Sequence, residues 1–482
     1  MFIYCEHSTE LENQECKHLR MSEKAANASG VEVLPADTPE ELAGPPEAPI
    51  RREQRFPTLD VLRGVALLGI LMLNIEDFAG HEALWNFPVG LLKPAFVGWH
   101  AHLDYAIVTL KWLFAEGKMR GMFSMLFGAG AVLLTERLEA RAGEGLAAKI
   151  FYRRNAWLLL FGAIHGFLIW WGDILLYYSL VGLVCLYPLC RLSARTLIIV
   201  GLIIWIAGGT FGTTRAFEVH KVLTHDTELR SAQSAGAAAT PEQRAFLVAD
   251  EKQQRKDAVT AADTIRKERL GYSSGLRYNI RNEISFLKLV FRSLWILEII
   301  GAMLTGMGLY KAGYLTNRRP RKEYLLVALG GYAISSLLVL TGLWHLYRGG
   351  FSPLADAKWI SIPYSTEVVT AALANASVIL LLVRSEHLRW ALGPVSAVGR
   401  TAFSNYILTS LTCKILFNWG PWKLYGQLEF YQWYIVVLAI WTANLVLSSL
   451  WLRVFAFGPL EWLWRSLTYW KRQPLFLREI PA

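Results

Sequence analysis

The chain has 482 residues, of which 54% are hydrophobic and 18% charged, against roughly 25% charged in average soluble domains. That balance excludes disorder, collagen, a coiled coil or a disulfide scaffold as the main body, and predicts an all-α, polytopic integral membrane helix bundle. The 49 Lys and Arg against 39 Asp and Glu leave a net charge of +10, the excess that cytoplasmic loops of a membrane protein retain, so no nucleic-acid partner is inferred.

Residues 1–55 are rich in Glu, Pro, Ala and Ser and contain no apolar run. They read as a disordered N-terminal tail without the apolar core of a signal peptide. Residues 56–482 read as one membrane domain whose main partner is the lipid bilayer. Apolar stretches of about 17–24 residues, enough to span roughly 30 Å of hydrocarbon, recur along it. They fall near 59–79, 119–136, 155–171, 173–190, 196–212, 289–310, 324–344, 361–384, 400–417 and 430–452. The stretch 102–118 carries His102, Asp104, Lys111, Glu116 and Lys118 around an apolar stripe, so it either crosses or lies in the interface. If it does not cross, Arg137, Arg141, Lys149, Arg153 and Arg154 fall on the cytoplasmic side with the other short-loop bases. The positive-inside rule then favours about ten spanning helices with both termini cytoplasmic. The segment 213–287 alternates Glu, Lys, Arg, Gln and Ala, and is expected to form one or two solvated helices in an extracytoplasmic insertion.

Ionisable groups inside a membrane are costly, so each marks a candidate site. Asp60 and Arg63 stand three apart on the first helix and share a face. They are either a first-turn acid with a snorkelling arginine, or an anion-facing arginine held by its carboxylate. Asn74 lies at the outer end of that helix. His165 sits between Gly162 and Gly166 in the outer half of the third span, and Asp173 follows eight residues later. A histidine beside an acid is a candidate general base; a structural histidine is the alternative. Trp170 and Trp171 read as interface anchors. Glu298, mid-span, needs a base or a wet cavity. Arg400 and Asn405 open the ninth span, and Asn444 lies in the tenth. The five cysteines form no C-x-x-C, and His100 and His102 have no further ligands nearby. No metal site, disulfide framework or bound cofactor is expected.

Leu59–Asn74 reads LDVLRGVALLGILMLN, and Phe123–Gly130 reads FSMLFGAG. Arg153–Leu176 reads RRNAWLLLFGAIHGFLIWWGDILL, and Ala397–Phe417 reads AVGRTAFSNYILTSLTCKILF. FGPLEWLWRSLTYWK follows near the end. In this order the motifs resemble the YeiB-type family of bacterial inner-membrane proteins, a domain of unknown function, and segment 288–475 carries the characteristic later ones. The resemblance implies a multi-pass protein of the bacterial inner (plasma) membrane. The LD-x-LRG opening, here Leu59, Asp60, Leu62, Arg63 and Gly64, is also similar to membrane acyltransferases of the heparan-glucosaminide acetyltransferase and acyltransferase-3 types. That similarity implies acyl transfer from a cytoplasmic donor such as acyl-CoA to an envelope glycan or lipid. Acyltransferase-3 proteins carry a histidine near the outer end of this helix, where this chain has Leu73 and Asn74. Either His165 replaces it or the chain is no acyltransferase.

On the acyltransferase reading His165 and Asp173 are catalytic, while Asp60, Arg63, Asn74, Glu298, Arg400 and Asn405 bind substrate. Asp60, Arg63, His165 and Asp173 would then share one polar path. A transporter relaying protons through Glu298 and His165 is the second reading, and a non-catalytic membrane scaffold the third.

Overall fold

A computed structural model describes residues 57–80 and 96–477; the expected tail lies outside them. Among the described residues the fold is built from helices, and extended pairing is limited to one isolated bridge between Phe455 and Phe476. The helices used below are α1 (Pro57–Ala79), α2 (Ala101–Phe114), α3 (Lys118–Ala142), α4 (Glu144–Ile164) and α5 (Leu175–Val181). Next come α6 (Ala194–Ala216), α7 (Val219–Ala235), α8 (Pro241–Glu268), α9 (Tyr272–Arg292) and α10 (Ile296–Lys311). The chain continues through α11 (Arg321–Arg348), α12 (Tyr364–Val383), α13 (Arg389–Arg400), α14 (Ala402–Lys414), α15 (Phe430–Trp451) and α16 (Pro459–Tyr469).

Among the described residues six helical stretches are long and apolar enough to cross a membrane: α1, α2 with α3, α6, α11, α12 and α15. The other expected spans fall on α4, α5, α10 and α14, which are shorter or carry more charge. Leu326, Leu329 and Leu337 of α11 are 71%, 70% and 68% exposed, an arrangement that suits a lipid solvent rather than water. The core packs α1, α3 and α12 through Leu62, Met122, Met125, Val368 and Leu380.

Glycines set two of the tightest crossings. A Cβ on Gly399 would collide with the Asp60 carbonyl, and one on Gly64 with the Val395 carbonyl, so α1 and α13 touch backbone to backbone. Gly128 of α3 and Gly306 of α10 bring that pair together in the same way.

Helix α2 is inside out. Its buried residues are Asp104, Val108 and Lys111, whereas Leu103, Leu110 and Phe114 are exposed. The chain then breaks at Gly117, whose φ of 69° favours glycine, before α3 begins. The polar segment 213–287 forms α7, α8 and most of α9, and α8 opens with a Thr240–Gln243 capping box. Helix α9 continues past the expected boundary to Arg292 and buries Gly275, Asn279, Glu283 and Val290 along one stripe. Five wide turns of the π type interrupt or end helices, including His165–Ile169 after α4 and Ile415–Trp419 after α14. Such turns are frequent at functional sites.

Candidate functional site

Helix α4 runs regularly to Ile164. The chain then widens, and the Trp170 amide donates to the His165 carbonyl five residues back at 2.8 Å. Trp170 leaves in extended conformation and turns inward, 2% exposed and packed at a tilt against Phe78 with ring centroids 4.2 Å apart. It is therefore a core residue and not the interface anchor expected from its position in the span. The same turn carries His165 into the bundle, 1% exposed.

His165 Nδ1 lies 2.7 Å from Asp173 Oδ1. Asp173, 0% exposed, is held from two further sides. Its Oδ2 accepts from the Leu176 amide at 2.6 Å, at the start of α5. Its Oδ1 also accepts from the Tyr406 hydroxyl of α14 at 3.3 Å. That hydroxyl in turn accepts from the Ile174 amide, and the Tyr406 ring lies 4.9 Å from the imidazole. Pairing with a carboxylate assigns the imidazole proton to Nδ1 and leaves Nε2 as the acceptor. Nε2 is buried and has no hydrogen-bond partner. An imidazole held this way has the geometry that a general base would need.

Tyr406 also lines a narrow crevice of about 10 Å³ between α1, α14 and α15. Its lining is mainly apolar, from Leu67, Leu68, Ile70, Leu71, Phe78 and Trp441, with Asn74, Thr409, Ser410 and Asn444 interspersed. The His165–Asp173 pair stands directly behind Tyr406, so one aromatic side chain separates base from crevice.

Three of the sequence candidates are therefore gathered here: His165, Asp173 and, lining the crevice, Asn74. Asp60 and Arg63 pair at 3.1 Å at the opposite end of α1. The charges of Arg63 and Arg465 both bear on Arg154, whose guanidinium stacks on Trp464 at 3.6 Å. Between that end and His165 packs an apolar cluster of Leu67, Leu158, Leu175, Val398, Ala402 and Phe403. The expected single polar path is thus interrupted by a hydrocarbon layer. Glu298 accepts from Arg120 at 2.9 Å and from the Trp295 indole at 2.6 Å. Asn405 donates to Ser448 and Thr401 at 2.8 and 3.0 Å and joins α14 to α15. Arg400 closes α13 beside them.

Two groupings were not singled out in the sequence. Lys111 donates to both carboxylate oxygens of Glu76 at 2.7 and 2.9 Å and lies 3.4 Å from Glu116. Lys118 pairs with Glu367 and Arg120 with Glu298, so ion pairs tie α1 to α2, and α3 to α10 and α12. An ionisable residue within an apolar run was the available signal. The second grouping is Asn279 and Glu283, delivered to the His165 turn by α9. The Asn279 amide donates to the carbonyls of Gly166 and Phe167 at 2.8 and 2.9 Å.

Residues 309–471 match a family described as "Protein of unknown function (DUF418)". Over 431 residues the chain is 30% identical to the uncharacterized protein YxaH of Bacillus subtilis (strain 168), covering 89% of this chain and 97% of that protein. Over 432 residues it is 31% identical to the uncharacterized protein YeiB of Escherichia coli (strain K12), covering 86% and 96%. It is also 27% identical over 435 residues to an uncharacterized 39.9 kDa protein in the amylase 3' region of Bacillus acidopullulyticus, covering 89% and 99%. No solved structure matches the chain.

Proposed function

The chain belongs to the family of the uncharacterized proteins YxaH and YeiB, and we propose that it is a membrane-embedded acyltransferase. It moves an acyl group from a donor such as acyl-CoA at the cytoplasmic face to an envelope glycan or lipid. The observation that carries this reading is the sealed His165–Asp173 pair, with an unpartnered Nε2, set behind a narrow, mainly apolar crevice on the Tyr406 side.

In this mechanism His165 Nε2 takes a proton from the acceptor hydroxyl or amine as that oxygen or nitrogen attacks the acyl carbonyl. The donor's carbonyl–sulfur bond then breaks, and the imidazolium returns its proton to the leaving thiolate. The Asp173 carboxylate stabilises the imidazolium, and the Leu176 amide and Tyr406 hydroxyl keep it oriented. The crevice widens to take the acyl chain along Leu67–Leu71, with the acyl carbonyl toward Asn74. Tyr406 swings aside to admit the acceptor. Arg63, with Arg154 and Arg465 close to it, binds donor phosphates at the cytoplasmic end, and the apolar layer around Leu67, Leu158 and Phe403 must part for the acyl group to reach His165. The test is acyl transfer from a labelled acyl donor in membranes containing wild type or His165→Ala. Transfer should fall about 10²–10⁴-fold with the protein still inserted, and undiminished transfer sinks the base assignment.

The buried ion pairs around Lys111, Lys118 and Arg120 favour a second reading, ion-coupled transport. Substrate uptake into vesicles without any acylated product would select it.

A further inference from the structure

Helix α9 lies outside the apolar stretches, yet its Asn279–Glu283 face is sealed against the bundle. Asn279 occupies the carbonyls of the wide turn and accepts from the Trp171 amide at 2.8 Å. One helical turn on, Glu283 is 0% exposed. A Cβ on Gly166 would stand 3.1 Å from its carboxyl carbon, so the residue next to His165 must stay small for Glu283 to lie there. Both Glu283 carboxyl oxygens are buried without a hydrogen-bond partner, and so is the Tyr177 hydroxyl of α5, whose surroundings include the charges of Glu283 and Asp173.

The charges facing this space decide the protonation. The α4 turn contributes His165, the segment leading into α5 contributes Asp173, α5 contributes Tyr177, and α14 contributes Tyr406. Farther along α9, at Gly275, Glu268 of α8 is already matched by Lys414 of α14. Arg277, Arg281 and Lys288 of α9 itself, and Arg215 of α6, are exposed. Of the two buried carboxyl groups Asp173 and Glu283, only Asp173 is paired with the imidazole. With Asp173 committed to His165, an ionised Glu283 would be an uncompensated buried charge, which proteins avoid by protonating the group.

We propose that Glu283 is a positioning residue of the His165 site, resting as a neutral carboxylic acid and holding one exchangeable proton beside the His165–Asp173 pair. Burial, and then the negative charge of Asp173, hold its carboxyl up at about 8, against an ordinary 4.5. While it stays neutral, a single carboxylate sets the basicity of His165. Once it ionises, a second negative charge favours the imidazolium, which can no longer accept a proton. That consequence for turnover rests on the acyltransferase reading; the protonation state does not.

Two measurements on the purified full-length protein in detergent decide the matter without using activity. Between the unfolded carboxyl value of 4.5 and the folded value of about 8, native Glu283 keeps a proton that the unfolded chain releases. Stability therefore falls as pH rises through that window and levels off above it. The unfolding constant should rise by up to about tenfold per pH unit from this group. Glu283→Gln mimics the neutral acid and should remove that slope, together with one protonated-carboxyl carbonyl band in the infrared spectrum. Loss of both supports the proposal; the wild-type slope and band persisting in Glu283→Gln overturn it. If Glu283→Gln does not fold, Asp173→Asn replaces it. The Glu283 band should then titrate at lower pH than in wild type, and an unshifted midpoint overturns the proposal. Absence of acyl transfer in every form would sink the acyltransferase reading and leave these outcomes untouched.

Discussion

The Lys111 ammonium bridges both carboxylate oxygens of Glu76, at 2.7 and 2.9 Å, and so clamps α2 to the far end of α1 from Asp60. The Tyr434 hydroxyl adds a third hydrogen bond to the same carboxylate at 3.0 Å. All three side chains are buried, which makes the pair costly to break from one side only.

Lys111→Met should therefore destabilise the fold by about 3–5 kcal/mol, because Glu76 is left as an unpaired buried charge. The double variant Lys111→Met with Glu76→Gln should recover most of that loss. Denaturant unfolding of the purified protein measures both, and equal losses in the two variants would refute the clamp.

Tyr406 is predicted to matter more to turnover than to folding. Tyr406→Phe removes one hydrogen bond to a carboxylate, worth about 1.5–3 kcal/mol at most. The protein should stay folded, while acyl transfer falls as Asp173 loses one of its orienting donors. Unchanged transfer would show that the hydroxyl has no part in positioning the pair.

The backbone crossing of α1 and α13 gives a third test. Gly399→Val places side-chain atoms against the Asp60 carbonyl, and overpacking of this kind costs about 1–3 kcal/mol or more. Gly393, which has open space around its Cβ position, is the control: Gly393→Val should leave the yield of monodisperse protein unchanged where Gly399→Val lowers it.

Topology is tested by reporter fusions. A reporter after Arg154 should face the cytoplasm, and one near residue 250 should lie outside, as the distribution of Arg and Lys in short loops requires. The reverse pattern would restore a separate crossing for 102–118.

Hydropathy made α1, α11, α12 and α15 legible, because their apolar runs are long and uninterrupted. The eight-residue spacing of His165 and Asp173 carried a usable signal too, since both are ionisable and flank a glycine-rich turn. What brings them together was not legible. A wide turn needs one more residue than an α turn, and nothing local in HGFLI announces it. Trp170 is aromatic at a helix end, which suits the interface as well as the core, and only the inward bend selects the core. Arg120 and Glu298 are distant in sequence and had to be paired by folding. Glu283 was hidden for the opposite reason: in a segment full of charges, one buried carboxyl has no contrast.

The polar lobe is fastened to the bundle at separate points, through Glu268 to Lys414 and Asn418 and through Asn279 to the carbonyls of the His165 turn. Helix α7 runs on from α6 almost without a break, so the flank before Gly236 is tethered independently of the flank after it. A single proteolytic nick in the exposed link at Gly236 should therefore release nothing. The severed halves would remain associated as a noncovalent complex, and two separately expressed fragments divided there should be able to reconstitute the whole.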